Sequence, residues 1–168
     1  AIAHHADGAG SPRAHGYCSA ARVASQAVAT LGLDPALRDR PVVADLPATS
    51  DVTLHADQAQ LVHAVANLVR YAAHGAPRGQ PIAVQLSRPG NGAVQFAVGI
   101  ADLPANHPAV SGQWALPDAA IAHRDEVALY LAHVVAENHG GSLAMERRAE
   151  GGARMVLRIP IAASAGSA

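Results

Sequence analysis

The sequence has no lysine, few aromatic residues, one cysteine and almost no net charge. All 12 basic residues are arginine, and 13 acidic residues balance them to a formal net charge of −1. This balance argues against the basic stripe of a nucleic-acid-binding domain, and 3% aromatic residues are too few for base-stacking platforms. The single Cys18 cannot form an intramolecular disulfide, which is typical of a cytoplasmic protein. We therefore expect no nucleic-acid partner and a cytoplasmic location.

Long hydrophobic runs are also absent. No apolar stretch reaches the roughly 20 residues that a membrane-spanning helix needs, so we expect no membrane contact from this segment. Half of the 168 residues are nevertheless apolar, which is enough for one hydrophobic core. Residues 1–16 and 163–168 are rich in small residues without apolar periodicity, and we expect them to be a flexible lead-in and a disordered tail. The sequence predicts one domain over 17–162.

Helical periodicity occurs three times in the chain. Apolar residues at three- and four-residue steps predict helices over 17–31, 58–74 and 125–138. Asp57 stands directly before the second of these helices, where its carboxylate can accept the free amide hydrogens of the first turn. The stretch 103–123 contains three prolines and little periodicity, and it is typical of a long loop.

Strand patterns occupy the regions between the predicted helices. Two short strands are expected near 41–44 and 52–54, and two hairpins are expected from 82–86 with 93–101 and from 142–147 with 153–161. Helices and strands in this order predict an α/β two-layer sandwich, in which three helices cover one face of a mixed sheet.

Three segments carry a resemblance to a known family. Residues 57–74 start at a capping Asp and pass through Asn67, residues 136–141 end a helix in His-Gly-Gly, and residues 151–160 form a strand that closes on Pro. Their order and spacing resemble the catalytic ATP-binding domain of sensor histidine kinases, the Bergerat-fold family that includes DNA gyrase. The resemblance implies ATP and Mg²⁺ as cofactors, and a phosphoacceptor/dimerisation domain or a response regulator as partner.

The family's helix corresponding to 58–74 supplies two Asn residues one turn apart, followed after three residues by a Lys. Asn67 matches the first Asn, Tyr71 stands at the second, which holds Mg²⁺, and His74 stands at the Lys. A phenol is a poor ligand for Mg²⁺, and an imidazole is mostly neutral near pH 7. Asn67 is therefore the remaining candidate metal ligand that the resemblance implies.

The family's adenine-binding Asp follows the strand predicted at 93–101. Side-chain alternation along this strand places Asp102 at that position. An alternative register places Gly99 or Ile100 there and leaves no acceptor for the adenine amino group. Pro104 replaces one of the family's glycines and removes a backbone donor, so we expect a reshaped pocket floor.

The family's last helix opens with a Gly-Leu-Gly-Leu motif that faces the phosphates. The corresponding residues here are Glu126 to Leu129, of which Leu129 keeps the family's apolar residue. The carboxylate of Glu126 would lie near the triphosphate, and like charges at close range in a low dielectric repel by several kcal/mol. We interpret Tyr71 and Glu126 as residues that plug the nucleotide pocket.

These residues favour a degenerate histidine-kinase-type ATP-binding domain in two-component signalling. Binding of ATP and Mg²⁺ would be weak or lost, and the domain would act through contacts with a partner kinase or response regulator. The alternative is an active ATP-dependent protein histidine kinase module, in which Asn67 and Asp102 hold ATP and a separate chain supplies the phosphoacceptor His. A third possibility is an anti-sigma-factor or chaperone relative with the same sandwich.

Overall fold

The computed structural model describes residues 15–47, 51–90, 92–101, 107–114 and 124–161. In chain order, the elements in these ranges are β1 His15–Ser19, α1 Ala20–Leu31, β2 Val42–Asp45, β3 Thr53–Asp57, α2 Gln58–Ala73, β4 Ile82–Ser87, β5 Ala93–Ile100, α3 Arg124–Asn138, β6 Ser142–Arg147 and β7 Ala153–Pro160. Two short 3-10 turns accompany them, the first at Pro35–Leu37 and the second at Pro108–Ser111. None of the described helices has the length and apolarity needed to cross a membrane.

Five strands form the main sheet in the order β2-β4-β5-β7-β6. The pair β2 and β4 is parallel, and the other neighbours are antiparallel. Helix α1 packs on β2 and β4, α2 packs on β4 and β5, and α3 packs on β6 and β7. The predicted α/β sandwich with a mixed sheet and three helices is confirmed.

The core lies between the helices and this sheet. Along β4 the residues Ile82, Val84 and Leu86 are buried in alternation with more exposed neighbours, as expected for a strand with one covered face. On the adjacent strand Phe96 is fully buried, and from α2 Leu61 packs into the same cluster. Each such side chain contributes about 1.5–3 kcal/mol by leaving water.

The first strand corrects the sequence prediction. Residues 17–19 are not helical but belong to β1, which pairs antiparallel with β3, so residues 15 and 16 also lie in this strand rather than in a lead-in. Helix α1 starts at Ala20 because the Ser19 hydroxyl oxygen caps it, accepting a hydrogen bond from the Arg22 amide at 3.2 Å. The same hydroxyl donates to Asp51 at 2.8 Å, which fixes the strand-to-helix corner.

The other predicted elements agree with the structure to within a few residues at their ends. The Asp57 carboxylate accepts a hydrogen bond from the Gln60 amide at 3.1 Å and caps α2 as predicted. Within the predicted loop 103–123, residues 107–114 include the second 3-10 turn. The remainder of that loop, residues 1–14 and the tail from 162 lie outside the described residues.

Candidate functional site

One face of α2 and its C-cap carry three of the candidate residues that the family resemblance suggested from the sequence. Asn67, Tyr71 and His74 follow one another at four- and three-residue steps, which places them on the same side of a helix. The helix also carries buried residues such as Leu61 and Leu68, which pack in the core and anchor α2 to the sheet. Because α2 also packs against α3, its polar face lies beside the first turns of α3.

Tyr71 bridges α2 to α3 through hydrogen bonds. Its hydroxyl donates to Glu126 Oε1 over 3.1 Å and lies 3.3 Å from His107 Nε2. His107 Nε2 in turn lies 3.2 Å from Glu126 Oε2. We call these three residues, Tyr71, His107 and Glu126, the tyrosine cluster. It joins α2 and α3 to His107, the residue directly before the second 3-10 turn. The participation of His107 was not predicted from the sequence.

The hydrogen bonds define the tautomer of His107. Its Nδ1 accepts a hydrogen bond from the Ala109 amide at 3.2 Å, so the ring proton lies on Nε2 and points to Glu126. The side chain of His107 is 13% exposed and that of Glu126 is 35% exposed. The carboxylate of Glu126 is therefore held by two donors in a half-buried position.

Asn67 does not join the tyrosine cluster but lines a separate pocket of about 640 Å³. We call it the α2 pocket. It is lined by Asp34, Ala36, Leu37, Arg40, Asn67, Arg70, Ala73, His74 and Ala128. Its charged groups are ordered by hydrogen bonds: Arg70 Nε lies 3.3 Å from Asp34 Oδ2, and Arg40 Nε donates to the Ala76 carbonyl at 3.1 Å.

The fold agrees with solved structures of one kind. The ATP-binding domain of PrrB from Mycobacterium tuberculosis superposes with a TM-score of 0.64 at 22% identity, covering 89% of this chain and 98% of that one. The mycobacterial sensor histidine kinase MprB gives a TM-score of 0.65 at 17% identity, covering 87% and 97%. The nucleotide-free catalytic domain of histidine kinase ThkA gives 0.65 at 16% identity, covering 87% and 96%. This chain has the fold of a sensor histidine kinase ATP-binding domain. No protein-family model and no curated protein matches the sequence.

Within the histidine kinase fold, the remaining positions named from the sequence lie apart from one another. Leu129, at the end of the motif that faces the phosphates in the family, is 1% exposed and packs in the core. His74 is exposed and lines the α2 pocket beside Asn67. Asp102 lies outside the described residues, as does Pro104.

The structure adds four polar residues that the sequence left out of the site. His107 belongs to the tyrosine cluster, and Asp34, Arg40 and Arg70 belong to the α2 pocket. A signal existed for one of them, since the pair Asp34 and Pro35 is typical of a helical start, and Asp34 does cap the first 3-10 turn. The others come together only through tertiary packing.

Two further features of the described residues concern metal-ligating side chains and the single cysteine. No group of three His, Cys, Asp or Glu side chains within them has the arrangement to hold a metal ion. Burial and then the nearby charge of Asp57 raise the pKa of the Cys18 thiol above its ordinary value. Because the thiolate is the reactive form, this shift is opposite to the one that a nucleophilic cysteine needs.

Trp114 is held against α3. Its ring stacks on His133 with ring centroids 5.0 Å apart and an angle of 10° between the planes. The stacking shows that Trp114 contacts the domain itself and fastens the segment after the second 3-10 turn to α3.

Proposed function

We propose that this chain is a histidine-kinase-type ATP-binding domain of a two-component system in which nucleotide binding is weak or lost. It acts through contacts with a partner kinase or a response regulator. The observation that supports this proposal is the tyrosine cluster: Tyr71 and Glu126, which the sequence resemblance assigns to the family's Mg²⁺ and phosphate positions, are hydrogen-bonded to each other at 3.1 Å.

The donor set of the cluster does not fit a Mg²⁺–triphosphate group. Mg²⁺ requires near-octahedral oxygen ligands at short distance, and the bulky phenol of Tyr71 replaces an amide of much smaller size. The carboxylate of Glu126 would face the phosphates with a charge of the same sign, and its oxygens are already occupied by donors from Tyr71 and His107. Separating these three side chains would cost the hydrogen bonds that join α2 to α3.

Nucleotide titration tests the proposal directly. Millimolar MgATP or MgADP is expected to leave the Tm of the wild-type domain unchanged. A ligand at one hundred times its Kd would stabilise the fold by about 2.7 kcal/mol and raise the Tm, so an unchanged Tm indicates that nucleotide binding is weak or lost. The double variant Tyr71→Asn with Glu126→Gly restores the family's residue types and is expected to gain a nucleotide-dependent rise in Tm. Tyr17→Asn, at an exposed position, is the matched control.

A rise in the wild-type Tm that corresponds to a micromolar Kd would overturn the loss of binding. Labelled ATP, mixed with the domain and a phosphoacceptor domain on a separate chain, then tests for an active kinase. Transfer of label that disappears in Asn67→Ala would support that alternative. Absence of both binding and transfer is the result that we expect.

A further inference from the structure

The α2 pocket contains Asn67 and His74, two of the positions that the family resemblance assigns to the nucleotide, but it extends beyond them to residues around the first 3-10 turn. None of the three residues of the tyrosine cluster lines it. Its volume of about 640 Å³ lies within the range of about 300–1,000 Å³ that is usual for small-molecule sites. The wall opposite α2 comes from the segment around the first 3-10 turn, where the resemblance to histidine kinases implies no nucleotide contact.

The charge of the pocket favours an anion. Its lining contributes two guanidinium groups, from Arg40 and Arg70, and one carboxylate, from Asp34. Asp34 pairs with Arg70 at 3.3 Å, whereas Arg40 donates through Nε to a neutral carbonyl, that of Ala76. Among the described residues no carboxylate pairs with Arg40, so its positive charge remains uncompensated in the pocket.

The hydrogen-bonding geometry leaves donors for a ligand. Because Nε of Arg40 is the atom bound to Ala76, the guanidinium is held in a fixed orientation by its inner nitrogen while its two outer nitrogens carry further N–H groups. A guanidinium fork of this kind matches the paired oxygens of a carboxylate or a phosphate. The half-buried amide of Asn67 lines the same pocket and adds a donor and an acceptor.

Apart from the imidazole of His74, the rest of the lining is apolar. Ala36, Leu37, Ala73 and Ala128 supply it, and Leu37 is buried. A ligand that fits this surface has a compact apolar body next to its anionic group. We propose that the α2 pocket binds a small organic anion, a carboxylate or a phosphate monoester, whose charged group pairs with Arg40.

Binding of model anions tests this proposal in the complete chain without nucleotide or Mg²⁺. Phenyl phosphate and benzoate represent the two anion classes, and benzamide is the neutral control of the same shape. At constant ionic strength, we expect saturable amide chemical-shift changes at Asn67 and Arg70 with at least one of the two anions. Phosphate-only or carboxylate-only binding would identify the class, and both outcomes support the site.

Substitution of Arg40 identifies the group responsible. Arg40→Gln is expected to weaken anion binding at least about tenfold, which corresponds to 1.4 kcal/mol. Arg38→Gln removes an exposed arginine two residues away that does not line the pocket, and it is expected to leave the affinity unchanged. Arg40→Lys keeps the charge without the fork and is expected to be intermediate.

Three results would overturn the proposal: no saturable shift with either anion, equal binding of benzamide, or unchanged affinity in a folded Arg40→Gln variant. The shift map of the wild type decides the question even if that variant does not fold. The outcome is also separable from the proposed function. If MgATP binds and Arg40→Gln leaves that binding intact, the loss of nucleotide binding is refuted while the anion site stands.

Discussion

His139 shows how a single residue links the parts of this domain. Its Nδ1 donates to the Val135 carbonyl at 2.7 Å, and its Nε2 accepts the Asp57 amide hydrogen at 3.1 Å. The ring thereby ties the end of α3 to the start of α2.

We predict that His139→Ala lowers the free energy of unfolding by about 1–3 kcal/mol. The substitution leaves the Asp57 amide without its acceptor in a partly buried position, and an unmade hydrogen bond of this kind costs that amount. Urea denaturation followed by circular dichroism measures the change. His63→Ala alters an exposed histidine of α2 and is expected to stay within about 0.5 kcal/mol of the wild type. Equal losses in the two variants would contradict this role of His139.

The residues of the candidate site could be predicted from the sequence only where they belong to a family motif. Tyr71 and Glu126 could be placed near a common ligand because their positions in the family's motifs are fixed, and the two side chains do meet. His107 could not be placed, since nothing local to a proline-rich loop specifies that its ring reaches α2 and α3. The pocket position of Arg40 could not be predicted either, because in the sequence it resembles any exposed arginine beside a turn.

At the scale of elements, glycines set the connection between α3 and β6. Gly140 has φ +72°, a left-handed conformation that L side chains rarely adopt, and it ends the helix. A Cβ on Gly141 would overlap the backbone carbonyl of Arg158 in β7. The helix end is thus packed directly on the backbone of the neighbouring hairpin, which positions the whole of α3 and with it Glu126.

We predict that Gly141→Ala destabilises the domain by at least about 1–3 kcal/mol. The added methyl group must push β7 away from the end of α3, and overpacking of this kind typically costs that amount. Gly16→Ala is the matched control, because a Cβ at Gly16 in β1 has open space around it. Thermal unfolding of both variants measures the difference, and an unchanged Tm for Gly141→Ala would refute the close packing.

Elements were predictable to the extent that their signals are local. The hairpin of β4 and β5 follows from alternating apolar residues on either side of a turn, and its strands lie where expected. Strand β1 was missed because its pairing is distant: His15 lies opposite Asp57, and Ser19 opposite Thr53. Strand β1 is short and mostly polar, and no turn connects it directly to β3. It therefore shows no alternating apolar pattern, and the predicted helix included its residues 17–19.

For the whole molecule, one continuous core joins the β1–β3 pair and the main sheet to the three helices. Cys18 of β1 and Leu54 of β3 belong to the same buried cluster as Leu129 of α3 and Phe96 of the main sheet. A shared core of this kind favours a single cooperative unfolding transition, since neither sheet can separate from the helices without exposing core residues of the other. Trp114 lies at the outside of this body, stacked on His133, and is the chain's single tryptophan.

The position of Trp114 makes its fluorescence a test of cooperativity. We predict that urea transitions followed by circular dichroism and by Trp114 fluorescence coincide in the wild type, because the stack fastens Trp114 to a helix that belongs to the core. His133→Ala removes a ring contact worth about 0.5–1.5 kcal/mol and is expected to move the fluorescence transition to lower urea than the circular dichroism transition. Leu131→Ala, at a half-exposed position of the same helix, is expected to keep the two transitions together. A wild-type fluorescence change that precedes the loss of helix would show instead that the segment around Trp114 opens independently of the core.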